Sequence, residues 1–208
     1  MMAGLRERKK EQTRRRITET ALRLFAERGY DAVTVNEIAE AAGVAKVTLF
    51  AYFPSKECLA LDGVSEDPAA IVAGRGPGRS PLGALREHYR SMAARGAGEV
   101  DVEGLLTRVR VIAATPALLA AVQQVHAGER YELAAALAEA AGAPADDLTA
   151  RLMAAQITGA ITTLQEAFFH RLVSGASLEE AGRLLAGDVE TAFDLLEHGF
   201  SSTKRGKS

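Results

Sequence analysis

The sequence predicts an all-α protein of about nine helices, in which a small N-terminal three-helix domain built on a helix-turn-helix precedes a larger C-terminal helical domain. Three observations carry this expectation. Apolar residues recur at helical spacing along most of the chain, and no run of alternating β-branched residues is long enough to argue for a sheet. Glycine or proline interrupts that spacing at Gly29, Gly43, Pro54, Pro116, Gly142 and Gly175. Two sequences, Thr34 to Glu37 and Ser177 to Glu180, have the form of a capping box, in which two side chains satisfy the free backbone N–H groups of a helix start.

The chain opens on MMAGLRERKK, read to about Lys10 as a mobile basic arm. Its Arg6, Arg8, Lys9 and Lys10 can lie along phosphates or in a minor groove, or can equally form a solvated tail. A first helix is expected from about Gln12 to Arg28, with Ile17, Ala21, Leu24 and Phe25 as its inward stripe and Gly29 as its stop. Tyr30 in the connection reads as a core anchor. The capping box then starts a short helix at Val35, whose Val35, Ile38, Ala39 and Ala42 keep helical spacing until Gly43, a residue free to take positive φ. A second short helix over 45–52 turns Leu49 inward and Lys46, Val47, Thr48, Ala51 and Tyr52 elsewhere, and Pro54 ends it. Ser55 is placed to cap a fourth helix from Lys56 to about Val64. Residues 65–83, SEDPAAIVAGRGPGRSPLG, read as a loop or hinge, and they lack the G-x-x-x-x-G-K-[ST] pattern of a phosphate cradle. Beyond them, helices are predicted at about 82–95, 101–114, 116–141, 145–173 and 177–199, with breaks at Gly96 and Gly98, Pro116, Gly142-Ala143-Pro144 and Gly175.

With 208 residues, 48 % of them hydrophobic and 25 % charged, the chain is long enough to bury a sizeable core. Net charge is −2, yet residues 1–60 hold 11 Lys/Arg against 8 Asp/Glu and the remainder holds 14 against 19. The basic end therefore coincides with the helix-turn-helix. Cys58 is the single cysteine, which excludes an internal disulfide; beside Leu59 and Leu61 it reads as a small buried hydrophobe. No apolar run of about 18 residues is present and none follows the basic start, so neither a membrane span nor a signal peptide is expected, and the cytoplasm is the expected location. His88, His126, His170 and His198 lie 28 to 44 residues apart, with no H-E-x-x-H and no cysteine pair. No catalytic constellation, metal site or cofactor is expected, and the chain does not read as an enzyme.

Two short helices joined at a glycine, the second carrying Lys, Thr and Tyr outward, form the arrangement that lays one helix in a DNA major groove. The string ERGYDAVTVNEIAEAAGVAKVTLFAYFPSKE resembles the DNA-binding segment of the TetR family of bacterial repressors, without a gap from about Ile17 to Leu59. The resemblance implies that helix 45–52 enters the groove, where Lys46 can donate to guanine O6 or N7, Val47 can pack on a thymine methyl, and Thr48 can reach a base edge or a phosphate. Thr34 and Tyr52 offer hydroxyls to phosphates, and Lys56 of the FPSK string adds charge at a helix start. Two positions depart from the family pattern. Ala45 stands where serine or threonine is usual and Phe50 where tyrosine is usual; each loses a polar group worth on the order of 1 kcal/mol.

On this reading residues 1–58 form the DNA-binding domain, 59–200 the ligand-binding and dimerisation domain, and 201–208 a flexible tail. In 145–173 the apolar residues, from Leu148, Leu152 and Met153 through Ile157, Ile161 and Leu164 to Phe168, Leu172 and Val173, cover more than one face, and the helix at 177–199 is similarly broad. One domain covers one face of each, so the other is expected to meet a second copy in a four-helix bundle; a monomer with both helices central is the alternative. TetR-like proteins dimerise in this way, and a two-fold dimer implies a palindromic DNA operator as partner. The resemblance further implies a small-molecule pocket in the C-terminal domain, for which Tyr89, Met92, Val109, Gln156 and Thr163 are candidate lining residues, ordinary core being the plain alternative. SEDPAAIVAGRGPGRSPLGAL and VIAATPALLAA are similar to TetR-type regulators of the mycofactocin group, with an acyl-CoA-like ligand-binding domain, which makes an acyl-CoA or fatty-acyl effector the first expectation, with Arg108 or Arg110 as cations. The expected function is a ligand-responsive repressor that a small lipophilic effector releases from DNA. The alternative is a helical dimer that binds lipophilic ligands with weakened or lost sequence-specific DNA binding.

Overall fold

The computed structural model describes residues 2–64, 66–94 and 101–199. Regular structure among them is helical throughout: α1 (Met2–Arg28), α2 (Val35–Ala41), α3 (Lys46–Tyr52), α4 (Lys56–Ala60), α5 (Pro68–Ala73), α6 (Pro81–Ala94), α7 (Val102–Ala113), α8 (Pro116–Ala141), α9 (Leu148–Val173) and α10 (Leu178–His198). The expected breaks at Gly96 and Gly98, and the expected tail at 201–208, lie outside the described residues.

The tenth helix is α5, inside the stretch read as a loop. Asp67 accepts from the Ala70 N–H at 3.0 Å and Pro68 fills the first helical position, so DPAAIVA carries its own start signal and buries Val72. The Gly/Pro-rich remainder, 74–80, is non-helical as its composition predicts. The N-terminal arm is also corrected. Helix α1 runs unbroken from Met2, because the Leu, Arg, Glu and Lys residues that follow Gly4 are strong helix formers and no proline interrupts them. Cys58 is exposed, not buried. The Ser55 cap makes it the third residue of α4, which turns Leu59 and Ala60 inward and the thiol outward. Helix α4 stops at Ala60, short of Val64, and α9 begins at Leu148 under an Asp147 cap.

The chain forms two compact units, Met1–Ser65 with Asp101–Gln123, and Glu66–Val100 with Gln124–Ser208. In the first, Ile17, Ala21, Leu24 and Phe25 of α1 pack with Tyr30, Val33, Ile38, Leu49, Phe53 and Leu59, and Val111 and Leu118 join the same core. In the second, α10 lies against α6 and α9. Its core gathers Leu85 and Tyr89 of α6, Leu133 and Leu137 of α8, Ile157 and Ile161 of α9, and Leu185, Val189 and Phe193 of α10. Arg86 ties α6 to α10 through Glu190, Asp194 and Glu197, and Arg90 adds a second bond to Glu190 at 2.7 Å. Arg90 and then Arg86 hold the Glu190 carboxyl down at about 2. Among the described residues no single helix is long and apolar enough to cross a membrane.

Candidate nucleic-acid interface

The helix-turn-helix is fixed at three points. At its start Thr34 Oγ1 accepts from the Glu37 N–H at 3.3 Å, and the Thr34 N–H donates to Glu37 Oε2 at 2.8 Å, which completes the capping box. The Thr34 hydroxyl also donates to Glu37 Oε2 at 2.7 Å, and Arg28 holds Oε1 at 2.7 Å. These donors, the Thr34 backbone first, lower the Glu37 carboxyl to about 2. At the turn Gly43 takes φ +63°, and the Gly43 and Val44 N–H groups bond back to the Glu40 and Ala39 carbonyls. A side chain there would be strained, which is why the turn needs glycine. At the end Phe53 is extended ahead of Pro54 and buried.

Between these points α3 buries Leu49 and leaves Lys46, Val47, Phe50 and Ala51 exposed, with Thr48 and Tyr52 half-buried. Val47 is 76 % exposed and Phe50 40 %. The Lys46 ammonium stands 5.9 Å from the Phe50 ring centroid. Ala45 occupies the N-cap with extended backbone and no side-chain bond to the helix. The start of α3 therefore keeps N–H groups that serine or threonine would satisfy.

Two supports behind α3 were not legible in the sequence. Arg14 of α1 pairs with Asp62 and lies 4.8 Å over the Phe53 ring, while the Thr18 hydroxyl donates to the same carboxylate at 3.1 Å. Lys56, beside the Ser55 cap, sits with its ammonium 4.1 Å from the Tyr30 ring centroid and 5.8 Å from that of Phe25. Two aromatic faces thus hold this cation in place. Burial, then the Glu57 carboxylate, pushes the Tyr30 phenol above its ordinary pKa. Both need the fold, because Asp62 and Phe53 are far from Arg14 along the chain, as Phe25 and Tyr30 are from Lys56.

The five candidate ligand residues do not form one lining. Tyr89 is buried with its ring 6.3 Å from Phe193, and Met92 packs at the margin of the same core. Gln156 and Thr163 are exposed on α9, and the Thr163 hydroxyl donates to the Gly159 carbonyl at 2.9 Å. They lie on the outer line of α9, whereas Ala150, Ala154, Ile157, Ile161 and Leu164 form the inner one. Val109 belongs to α7 in the first unit. Burial lowers the Arg108 pKa and its Nε has no bonding partner; Arg110 is exposed and borders a cleft of about 650 Å³ beside Gly29 and Tyr30. The second unit carries a cleft of about 410 Å³ along α6, bordered by Arg75, Arg79 and His88.

A capped helix, a glycine turn and a second helix offering a lysine and bare apolar side chains to solvent define a helix-turn-helix DNA-binding protein. Residues 17–62 match the model of the TetR family of bacterial regulatory proteins, and residues 79–201 match that of the MftR C-terminal domain. The chain belongs to the TetR family, whose members are transcriptional regulators and not enzymes. It is 37 % identical to the transcriptional regulator TcmR of Streptomyces glaucescens over 153 residues, 69 % of this chain and 67 % of that one. It is 29 % identical to MftR of Mycobacterium tuberculosis, a candidate regulator of mycofactocin biosynthesis, over 92 % of this chain and 93 % of that one. Among solved structures, NalD of Pseudomonas aeruginosa, the secondary repressor of the MexAB-OprM multidrug efflux pump, shares the fold with a TM-score of 0.54 at 20 % identity, over 91 % of this chain and 96 % of that one.

Proposed function

We propose that this regulator is a repressor which binds a palindromic operator as a homodimer and leaves it when a small lipophilic effector occupies its C-terminal domain. The observation that carries the reading is the bare apolar surface of α3. A valine 76 % exposed next to a free lysine has no packing role in the first unit, and a groove wall with thymine methyls gives it one. Lys46, Val47 and Thr48 read bases; Tyr52 and Lys56 position the phosphates; Thr34, whose hydroxyl donates to Glu37, fixes the start of α2 beside them, and Ala45 and Phe50 border the contact without a polar group. The cationic start of α1, where Arg6, Arg8, Lys9 and Lys10 are exposed, offers further charge to phosphates. Dimerisation through α9 and α10 is supported by the outer face of α9, where Leu152 is 55 % and Met153 42 % exposed in the single chain. The lipophilic effector rests on the sequence resemblance to regulators with an acyl-CoA-like ligand-binding domain, with which the match to the MftR C-terminal domain agrees, and a DNA-binding regulator of this kind works in the cytoplasm.

The test is selection of genomic fragments with the purified protein at two salt concentrations, followed by the variants Lys46→Ala, Tyr52→Phe and Lys56→Ala. A recovered palindrome is expected, with Lys46→Ala altering its sequence and the other two weakening every site alike. Equal behaviour of all three would refute the sorting of contacts. The uncapped Ala45 and the missing Phe50 hydroxyl favour one rival, a lipophile-binding dimer without sequence readout, and salt-sensitive, sequence-blind binding would establish it.

A further inference from the structure

The first unit holds an open cleft lined by none of the residues assigned to DNA. It lies where α7 packs on α1, between the end of α1 with the turn that follows it and the last turns of α7, and its volume is about 650 Å³. Its floor is apolar: Phe25, Tyr30 and Val111 are all buried there. Ala26 and Ala32 continue the apolar surface on one side and Ala114 on the other. At Gly29 the wall has no side chain, and a Cβ there would meet no atom within 4 Å. Hydrogen-bond donors around this floor outnumber acceptors. Arg110 is exposed, and its guanidinium has no partner among the described residues. Arg28 commits only Nη2, to Glu37 Oε1 at 2.7 Å and to the Ala32 carbonyl at 3.4 Å, which leaves Nε and Nη1 uncommitted. The Thr107 hydroxyl is uncommitted too, whereas that of Thr115 donates to the Val111 carbonyl at 2.8 Å. The acidic side chain of the lining is Asp31, exposed and without an ion pair among the described residues. With Arg28 balanced by Glu37, Arg110 stands against Asp31 and the rim is even in charge. Its selectivity therefore comes from two guanidinium forks and a hydroxyl set against one carboxylate.

We infer that this cleft is a ligand site within the DNA-binding unit, and that it takes a small amphipathic monocarboxylate. The apolar body lies on Phe25 and Val111, the carboxylate meets the Arg110 fork, and Arg28 offers its uncommitted nitrogens from the α1 wall. Asp31 disfavours a second negative charge on the ligand. Arg28 belongs both to the cleft and to the start of α2, since the nitrogen it commits holds Glu37 of the capping box. Ligand and Glu37 thus draw on one guanidinium, and occupation of the cleft is linked to the helix-turn-helix. The site is separate from the C-terminal effector of the proposed repressor and stands or falls without it.

The experiment titrates the isotope-labelled full-length protein with three probes of one shape, 2-naphthoate, 2-naphthylmethanol and 2-naphthylmethylammonium, and follows backbone amide chemical shifts. Naphthoate is expected to move the amides of Gly29, Asp31, Thr107 and Val111. Because the cations are solvated, it should bind about fivefold more tightly than the alcohol and about tenfold more tightly than the ammonium. Arg110→Gln, a change at an exposed side chain, should bring acid and alcohol within about twofold of each other, and Asp31→Asn should tighten the acid by about twofold. Glu37→Gln removes the charge that competes for Arg28 and should tighten the acid by about threefold. Shifts confined to the second unit, no shift at the cleft amides at millimolar probe, ammonium binding as tightly as the acid, or an acid preference unchanged in Arg110→Gln would overturn the site. An affinity unchanged in Glu37→Gln would overturn its link to the capping box.

Discussion

The empty N-cap of α3 gives the sharpest single test of how the helix-turn-helix is built. Ala45 is already in the extended conformation that an N-cap residue adopts, with φ −69° and ψ 146°, so Ala45→Ser adds a hydroxyl without moving the chain. That oxygen is placed to accept from the Val47 or Thr48 N–H, in the way Ser55 accepts from Cys58 at 3.1 Å one helix later. A cap of this kind stabilises by about 1 kcal/mol, and in a protein of this size about 1 kcal/mol raises the melting temperature by roughly 2–4 °C. Ala45→Asp supplies the same cap with a negative charge. The two variants should therefore raise the melting temperature alike, measured by scanning calorimetry, and then part company on DNA. Serine should tighten operator binding by up to about fivefold through an added phosphate contact, while aspartate should weaken it more than tenfold by placing a carboxylate against the backbone. If neither variant raises the melting temperature, Ala45 is not an uncapped helix start. If aspartate leaves DNA affinity unchanged, the N-terminus of α3 does not face the phosphates.

Phe50→Tyr restores a hydroxyl on a ring that is 40 % exposed, and should tighten binding to matched and mismatched sites by a similar factor, about fivefold in mobility-shift titrations; a gain confined to one sequence would refute a phosphate role. Glu37 titrates at about 2 in the folded chain against an ordinary 4.5, so its contribution to stability is complete above about pH 4.5 and is lost as pH falls toward 2. Glu37→Gln should therefore flatten the fall in melting temperature across that window, and an unaltered acid profile would mean that the capping box carries no charge-dependent stability. Leu152→Arg puts a charge on the outer face of α9 and should convert a dimer into a monomer in sedimentation velocity at micromolar concentration, with helix content unchanged; a persistent dimer would move the interface elsewhere.

Much of the first unit was legible residue by residue. Thr34, Glu37, Gly43, Ser55 and Pro54 act through backbone bonds to residues three to five positions away, so their spacing in the chain is their spacing in space. The same locality explains the misreadings. DPAAIVA carried a cap and a first-turn proline but was absorbed into its Gly/Pro-rich surroundings, and the basic start was read by charge when its helix-forming residues decided its conformation. Cys58 followed from neither rule, because its exposure depends on the phase that the Ser55 cap imposes on α4.

The sequence by itself determined the helical class, the position of the turn and the two short helices on either side of it, because caps, glycines and apolar spacing are short-range properties. Tertiary structure alone decided which face of each long helix is covered. The outer line of α9 carries Gln156 and Thr163 among leucine and methionine, and nothing in the local pattern separates it from the inner line. Tertiary structure alone also placed Lys56 over Tyr30, Arg14 over Phe53, and the unpartnered Tyr89 hydroxyl in the core of the second unit. Each of these is a contact between residues far apart in the chain, fixed by packing that brings several elements together at once and that no single window of sequence encodes.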